Sequence, residues 1–177
     1  MPRVLLIALL FASIASIASA QGPTYGLGRA ATEADQSALG AAVTSDGGGL
    51  PAGKGTAAEG SRVYESKCRE CHGVEGKGDQ QTGFVGTLAD ITAEKPKKTV
   101  GSYWPHATTL WDYTNRAMPF KQPGTLATDE VYAVTAYILY LNGLIGENDV
   151  LDEKTLPAVK MPNREGFVSD SRPDVRP

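Results

Sequence analysis

The sequence predicts an all-α domain with irregular ends, on three observations. Two stretches, 56–72 and 128–142, carry apolar residues at helical spacing between capping signals. An aromatic-rich stretch at 103–117 runs into a proline. Outside 56–143 the chain is rich in glycine, proline and small polar residues, a composition that buries little by itself. No internal repeat is visible.

Residues 1–20, MPRVLLIALLFASIASIASA, place one arginine before an apolar run that ends Ala18-Ser19-Ala20. That is the pattern of a secretory signal peptide cleaved after Ala20. The run is short and serine-diluted for a membrane anchor, since a span needs roughly 20 predominantly apolar residues. Cleavage would remove one positive charge, Arg3, and leave 16 basic against 20 acidic groups. A mildly acidic chain without a basic stripe argues against nucleic acid as a partner. With no second apolar stretch of spanning length, the expectation is a periplasmic protein with no membrane span after cleavage.

Residues 21–55 form an irregular N-terminal extension whose turns are marked by Asp46-Gly47-Gly48-Gly49 and Pro51-Ala52-Gly53. The domain proper, 56–143, begins at Thr56-Ala57-Ala58-Glu59. This fits a capping box, in which hydroxyl and carboxylate each satisfy a free N–H. Gly60, Tyr64, Cys68 and Cys71 then share one helical face. The glycine would admit a crossing helix, the tyrosine would fill the space beside it, and the helix should end near His72-Gly73.

Residues 73–101 contain six glycines and read as loop, with Leu88 and Ile91 as inward anchors. Lys95, Lys97 and Lys98 form a basic cluster there, read as a solvated loop ahead of a docking site. A short helix is expected from 105 to 116 with Pro105 in its first turn. It must stop before Pro119, because the residue preceding a proline is pushed out of the helical region. The last helix runs from Thr128, read as its N-cap, to Asn142-Gly143. Val131, Val134, Ile138 and Leu141 make its apolar face, widened by Tyr132, Tyr137, Leu139 and Tyr140. Residues 144–177 are an irregular C-terminal extension.

The chemistry lies in Cys68-Arg69-Glu70-Cys71-His72, which holds the two cysteines of the chain. C-x-x-C-H is the attachment signature of a c-type haem. Two thiols three residues apart on a helical turn can each reach one porphyrin vinyl group, and the following imidazole meets the iron. A structural zinc site needs about four ligands, and the chain has one further histidine, His106. A thioredoxin-like pair calls for a βαβ pattern, which is not seen. A plain disulfide needs no adjacent histidine.

The reading is therefore one covalent haem c with His72 as an axial iron ligand. For the opposite axial position the candidates are Met118, Met161 and His106. Met118, in an extended Met-Pro segment after a helix break, is the expected ligand, and its thioether would raise the potential relative to two histidines. Met161, also before a proline, competes from beyond the last helix. The alternative for Met118 is gap-filling in the core. Tyr103, Trp104, Trp111 and Arg116 are candidates for the haem surround, as ring walls and donors to the propionates. Core burial explains the aromatics equally well.

Gly60, Tyr64, C-x-x-C-H and a Met-Pro loop before an aromatic-rich last helix resemble the class I monohaem cytochromes c. The resemblance implies that the first and last helices cross at Gly60, Tyr64 and the 131–141 face. A narrower likeness lies in Tyr25–Arg29, Gly49–Thr56, Ser102–Pro105, Arg116–Phe120 and Met161–Phe167. These segments resemble the cytochrome subunits of periplasmic molybdenum sulfite or sulfane dehydrogenases.

That likeness implies an electron-transfer subunit without catalysis of its own. It would accept single electrons from a molybdenum partner and pass them to a downstream cytochrome or oxidase. The irregular ends would lie along the partner, so removing 150–177 is expected to spare the haem spectrum. A haem enzyme (a peroxidase or a thiosulfate-converting cytochrome), a gas sensor and a carrier for an unrelated dehydrogenase remain alternatives.

Overall fold

In the computed structural model, residues 26–35, 40, 42–78 and 83–170 are described. The signal-peptide segment 1–20 lies outside them. The chain divides into two units, 1–40 and 41–177. In the first, Arg29 and Thr32 both bond the Asp35 carboxylate, closing a local turn. The second holds the core.

In the second unit Thr56 caps a helix, α1 (Ala57–Lys67), and both halves of the capping box form: the hydroxyl accepts from the Glu59 N–H, and the Glu59 carboxylate from the Thr56 N–H. The chain kinks at Cys68 and resumes as α2 (Arg69–His72). A one-turn helix, α3 (Ala89–Thr92), interrupts the loop-rich stretch. Then come α4 (Ala107–Ala117) and α5 (Thr128–Leu141).

Among the described residues the fold is all-α apart from an antiparallel pair, β1 (Lys54–Gly55) with β2 (Leu151–Asp152), in which Gly55 faces Leu151. This pair ties the segments on either side of the helical domain together.

The α1–α5 crossing organises the molecule. A Cβ on Gly60 would lie 1.9 Å from the Ala133 carbonyl oxygen, so only glycine allows this approach. One turn on, the Tyr64 and Tyr137 rings meet at 5.2 Å. Around the crossing the core gathers Val131, Tyr132, Val134, Ile138 and Leu139 from α5, and Leu110 and Trp111 from α4.

Several expectations are corrected. Thr128 is the first helical residue and not the cap: Ala127 stands at the N-cap, its N–H satisfied by the Glu130 carboxylate. Alanine has no acceptor, so the box is half-formed. Pro105 precedes the N-cap, which is His106, and so lies outside the first turn. Leu88 is 45% exposed and anchors nothing. Among the described residues of that stretch, Val100 enters the core and Phe84 packs against it.

The segment after α5 packs inward more than expected. Leu151, Leu156, Val159 and Met161 are buried in the same core as α4 and α5. Removing 150–177, a change expected to spare the haem spectrum, would therefore strip side chains from the core.

Candidate functional site

The turn that carries the thiols is built by the backbone. With the kink at Cys68 (φ −123°, ψ −34°), its carbonyl accepts from both Cys71 (3.2 Å) and His72 (3.0 Å). The kink rotates Cys71 off the buried face of α1. Cys68 is half-buried and Cys71 exposed, whereas an unbroken helix would have placed both on one face. Neither thiol is in a disulfide. Burial pushes the Cys68 thiol up to about 11, so it is held protonated.

Tyr64, fully buried, locks the loop that leaves α2. Its hydroxyl donates to the Gly73 carbonyl (2.6 Å) and accepts from the Gly76 N–H (3.0 Å). Gly73 leaves α2 at φ +73°, a conformation that suits glycine. His72 is half-buried, and its ring lies 5.1 Å from that of Phe84. Sequence reasoning missed Phe84: a lone aromatic in a Gly-flanked loop has no periodicity to reveal it.

Met118 follows α4 in extended conformation (φ −122°, ψ 150°), as its proline neighbour requires, and the Met118–Pro119 bond is cis. Its side chain is half-buried. Just beyond it, the Lys121 ammonium lies 3.8 Å from the Glu70 carboxylate, an exposed contact between the stretch after Met118 and the Cys68–His72 turn.

The surrounding candidates divide. Trp111 is enclosed between α4 and α5 against Tyr132 (5.4 Å), its buried Nε1 without a hydrogen-bond partner. Trp104 packs edge-on to Tyr113 at 5.7 Å. Arg116 donates from Nε to Asp112 at 2.7 Å, one turn back. Tyr103 contacts the C-terminal extension: its ring meets Phe167 at 5.2 Å and its carbonyl accepts from Asn163 Nδ2 at 2.8 Å. The Lys98 ammonium sits 4.9 Å above that ring, while Lys95 and Lys97 are exposed. His106 begins α4 without capping it, and its buried Nδ1 has no partner. Met161 is 3% exposed in the core.

The residues present suit a covalently held porphyrin. Two unbridged thiols and an imidazole stand on one turn, and a thioether segment lies alongside. Val74, Tyr113 and Phe120, close in sequence to these donors, are 57%, 49% and 83% exposed, apolar surface of the kind a porphyrin face would cover. Among the described residues no three His, Cys, Asp or Glu side chains converge to bind a metal ion directly. Nor is any helix among them long and apolar enough to cross a membrane.

Comparison with known proteins adds two matches. The family model "Cytochrome c" matches residues 57–142. A chain in the crystal structure of the sulfane dehydrogenase SoxCD from Paracoccus pantotrophus is similar at 40% identity with a TM-score of 0.75, over 85% of this chain and 75% of that one. No curated protein matches. Identity at this level, sustained over most of both chains and carried by the same helical core, has a plain meaning: the chain belongs to the cytochrome c family and binds haem c covalently.

Proposed function

We propose that this protein is the electron-transfer subunit of a periplasmic sulfur dehydrogenase, accepting single electrons from a molybdenum partner that oxidises sulfite or a sulfane sulfur. The supporting observation is the likeness to a SoxCD chain, which reaches into the irregular ends and well beyond the 57–142 family core. Haem c supplies one reversible electron through its iron.

The chain's residues hold that group and shape its surroundings. Cys68 and Cys71 would tether it, and His72 would hold its iron. Met118 would supply the second protein ligand: Lys121, three residues on, meets Glu70 of the thiol turn, whereas Met161 would have to leave the core at a cost of about 2–5 kcal/mol. Two protein ligands leave no position for a substrate, so the sulfur chemistry belongs to the partner. Electrons then leave for a downstream cytochrome or oxidase. Residues 1–20 direct export, and the exposed residues 164–170 lie along the partner.

The test is purification from source cells. A copurifying molybdenum protein, with sulfite or a sulfane-sulfur donor reducing the haem through it, is the expected result. Copurification with a molybdenum-free dehydrogenase would redirect the assignment to another donor. Rapid carbon monoxide binding by the reduced protein would favour a sensor or haem enzyme.

A further inference from the structure

We infer that Phe84 is a positioning residue for the His72 imidazole, setting the plane in which that ring meets the iron. The inference rests on the assignment of His72 as axial ligand and goes beyond it.

Phe84 is placed from several directions. Its N–H donates to the Gly76 carbonyl at 3.0 Å. Its own carbonyl accepts from Val100 N–H (3.1 Å) and from the Asn142 amide (3.4 Å), so the end of α5 fixes its height. The ring stands edge-on to Tyr64 at 5.9 Å and 89°. On its other side Gly76 makes room: a Cβ there would lie 2.0 Å from Phe84 Cε2. The half-buried ring is held by these contacts, and it meets His72 at 5.1 Å with the planes 50° apart.

This matters for electron transfer because an axial imidazole can rotate about its bond to the metal. Residues that fix ring orientation tune the metal as surely as the ligand itself. Phe84 does so by packing. Through Tyr64 and Asn142 the α1–α5 core is then transmitted to the ligand.

The experiment compares wild-type holoprotein with Phe84→Leu, Phe84→Ala, Phe84→Tyr and the core control Leu156→Ala, all matured in a host competent for haem attachment. Phe84→Leu keeps apolar volume while removing the ring, and carries the test if the alanine variant fails to mature. The readouts are the ferric low-spin electron paramagnetic resonance spectrum, the midpoint potential and the melting temperature.

Loss of the ring should move the highest g-value by more than its linewidth and displace the potential. Phe84→Tyr should restore both. Leu156→Ala, in a fully buried site, should lower the melting temperature with the wild-type spectrum. A wild-type spectrum and potential in Phe84→Leu, or an equal shift in Leu156→Ala, overturns the role of Phe84 while leaving His72 as ligand. A wild-type protein without histidine-ligated low-spin haem overturns the underlying assignment as well.

Discussion

Gly60 and Ala133 pass so closely that the glycine has no room for a methyl group, a Cβ there lying 1.9 Å from the Ala133 carbonyl oxygen and 2.9 Å from Tyr137 Cβ. Backbone blocks the way, so no rotamer relieves the clash. Gly60→Ala gains about 1 kcal/mol of helix propensity. It loses more by forcing α1 and α5 apart, a strain of about 1–3 kcal/mol or above. The expected net result is a lowered denaturation midpoint. A midpoint at or above wild type would mean that the helices do not cross here.

Tyr64→Phe removes one hydroxyl that serves two partners, the Gly73 carbonyl and the Gly76 N–H. The Gly76 donor is buried, so the loss should be about 1–3 kcal/mol in urea unfolding. Burial also pushes the Tyr64 hydroxyl from 10.0 up to about 12. The unfolded chain therefore releases this proton first. The stabilising contribution is complete below pH 10 and is lost as pH rises toward 12. Wild type should lose stability faster than Tyr64→Phe across that interval.

These two residues were legible in the sequence because helical periodicity and a short motif signal them directly. Thr56, Glu59, Gly60 and, on α5, Val131, Val134 and Ile138 follow the same local rules and lie as expected, whereas Leu141 is half-buried and Tyr140 exposed. What sequence concealed is long-range. Phe84 reaches His72 through a glycine loop without a period. Asn142, read as a helix stop, also accepts from Gly86 N–H at 3.0 Å. The burial of 151–161 depends on a two-residue strand pairing that no alternation announces. Cys71 was misplaced because the kink at Cys68 has no sequence marker such as proline.

A chain ending at Val150 should be severely destabilised. Leu151, Leu156, Val159 and Met161 are all buried, and each contributes about 1.5–3 kcal/mol. Their joint loss is comparable to the ~5–15 kcal/mol stability of a typical domain. A chain ending at Phe167 keeps those four side chains, so its melting temperature should stay close to wild type. Equal melting temperatures for the chain ending at Val150 and the full chain would show residues 151–177 to be dispensable.

The two methionines should separate cleanly. Met161→Ala should cost about 2–5 kcal/mol as a core cavity, while the sulfur-to-iron charge-transfer band of the oxidised protein persists. Met118→Ala should abolish that band and lower the potential, with a smaller loss in chain packing because the side chain is half-buried. The opposite pattern would assign the thioether ligand to Met161.

Lys67 and Glu130 join the end of α1 to the start of α5 through two contacts of 2.7 and 2.9 Å. The carboxylate is held below its ordinary 4.5, first by the Lys67 hydrogen bond and then by the Ala127 N–H. A depressed folded value means the contribution is present above pH 4.5 and is lost as pH falls through the lowered one. Both side chains are about a third exposed, so screening limits the pair to about 0.2–1 kcal/mol. Glu130→Gln should therefore lower stability slightly at neutral pH and at low salt. The difference from wild type should vanish once the wild-type carboxyl is protonated in acid. A deficit that persists unchanged there would show that the substitution acts through the α5 cap and not through charge.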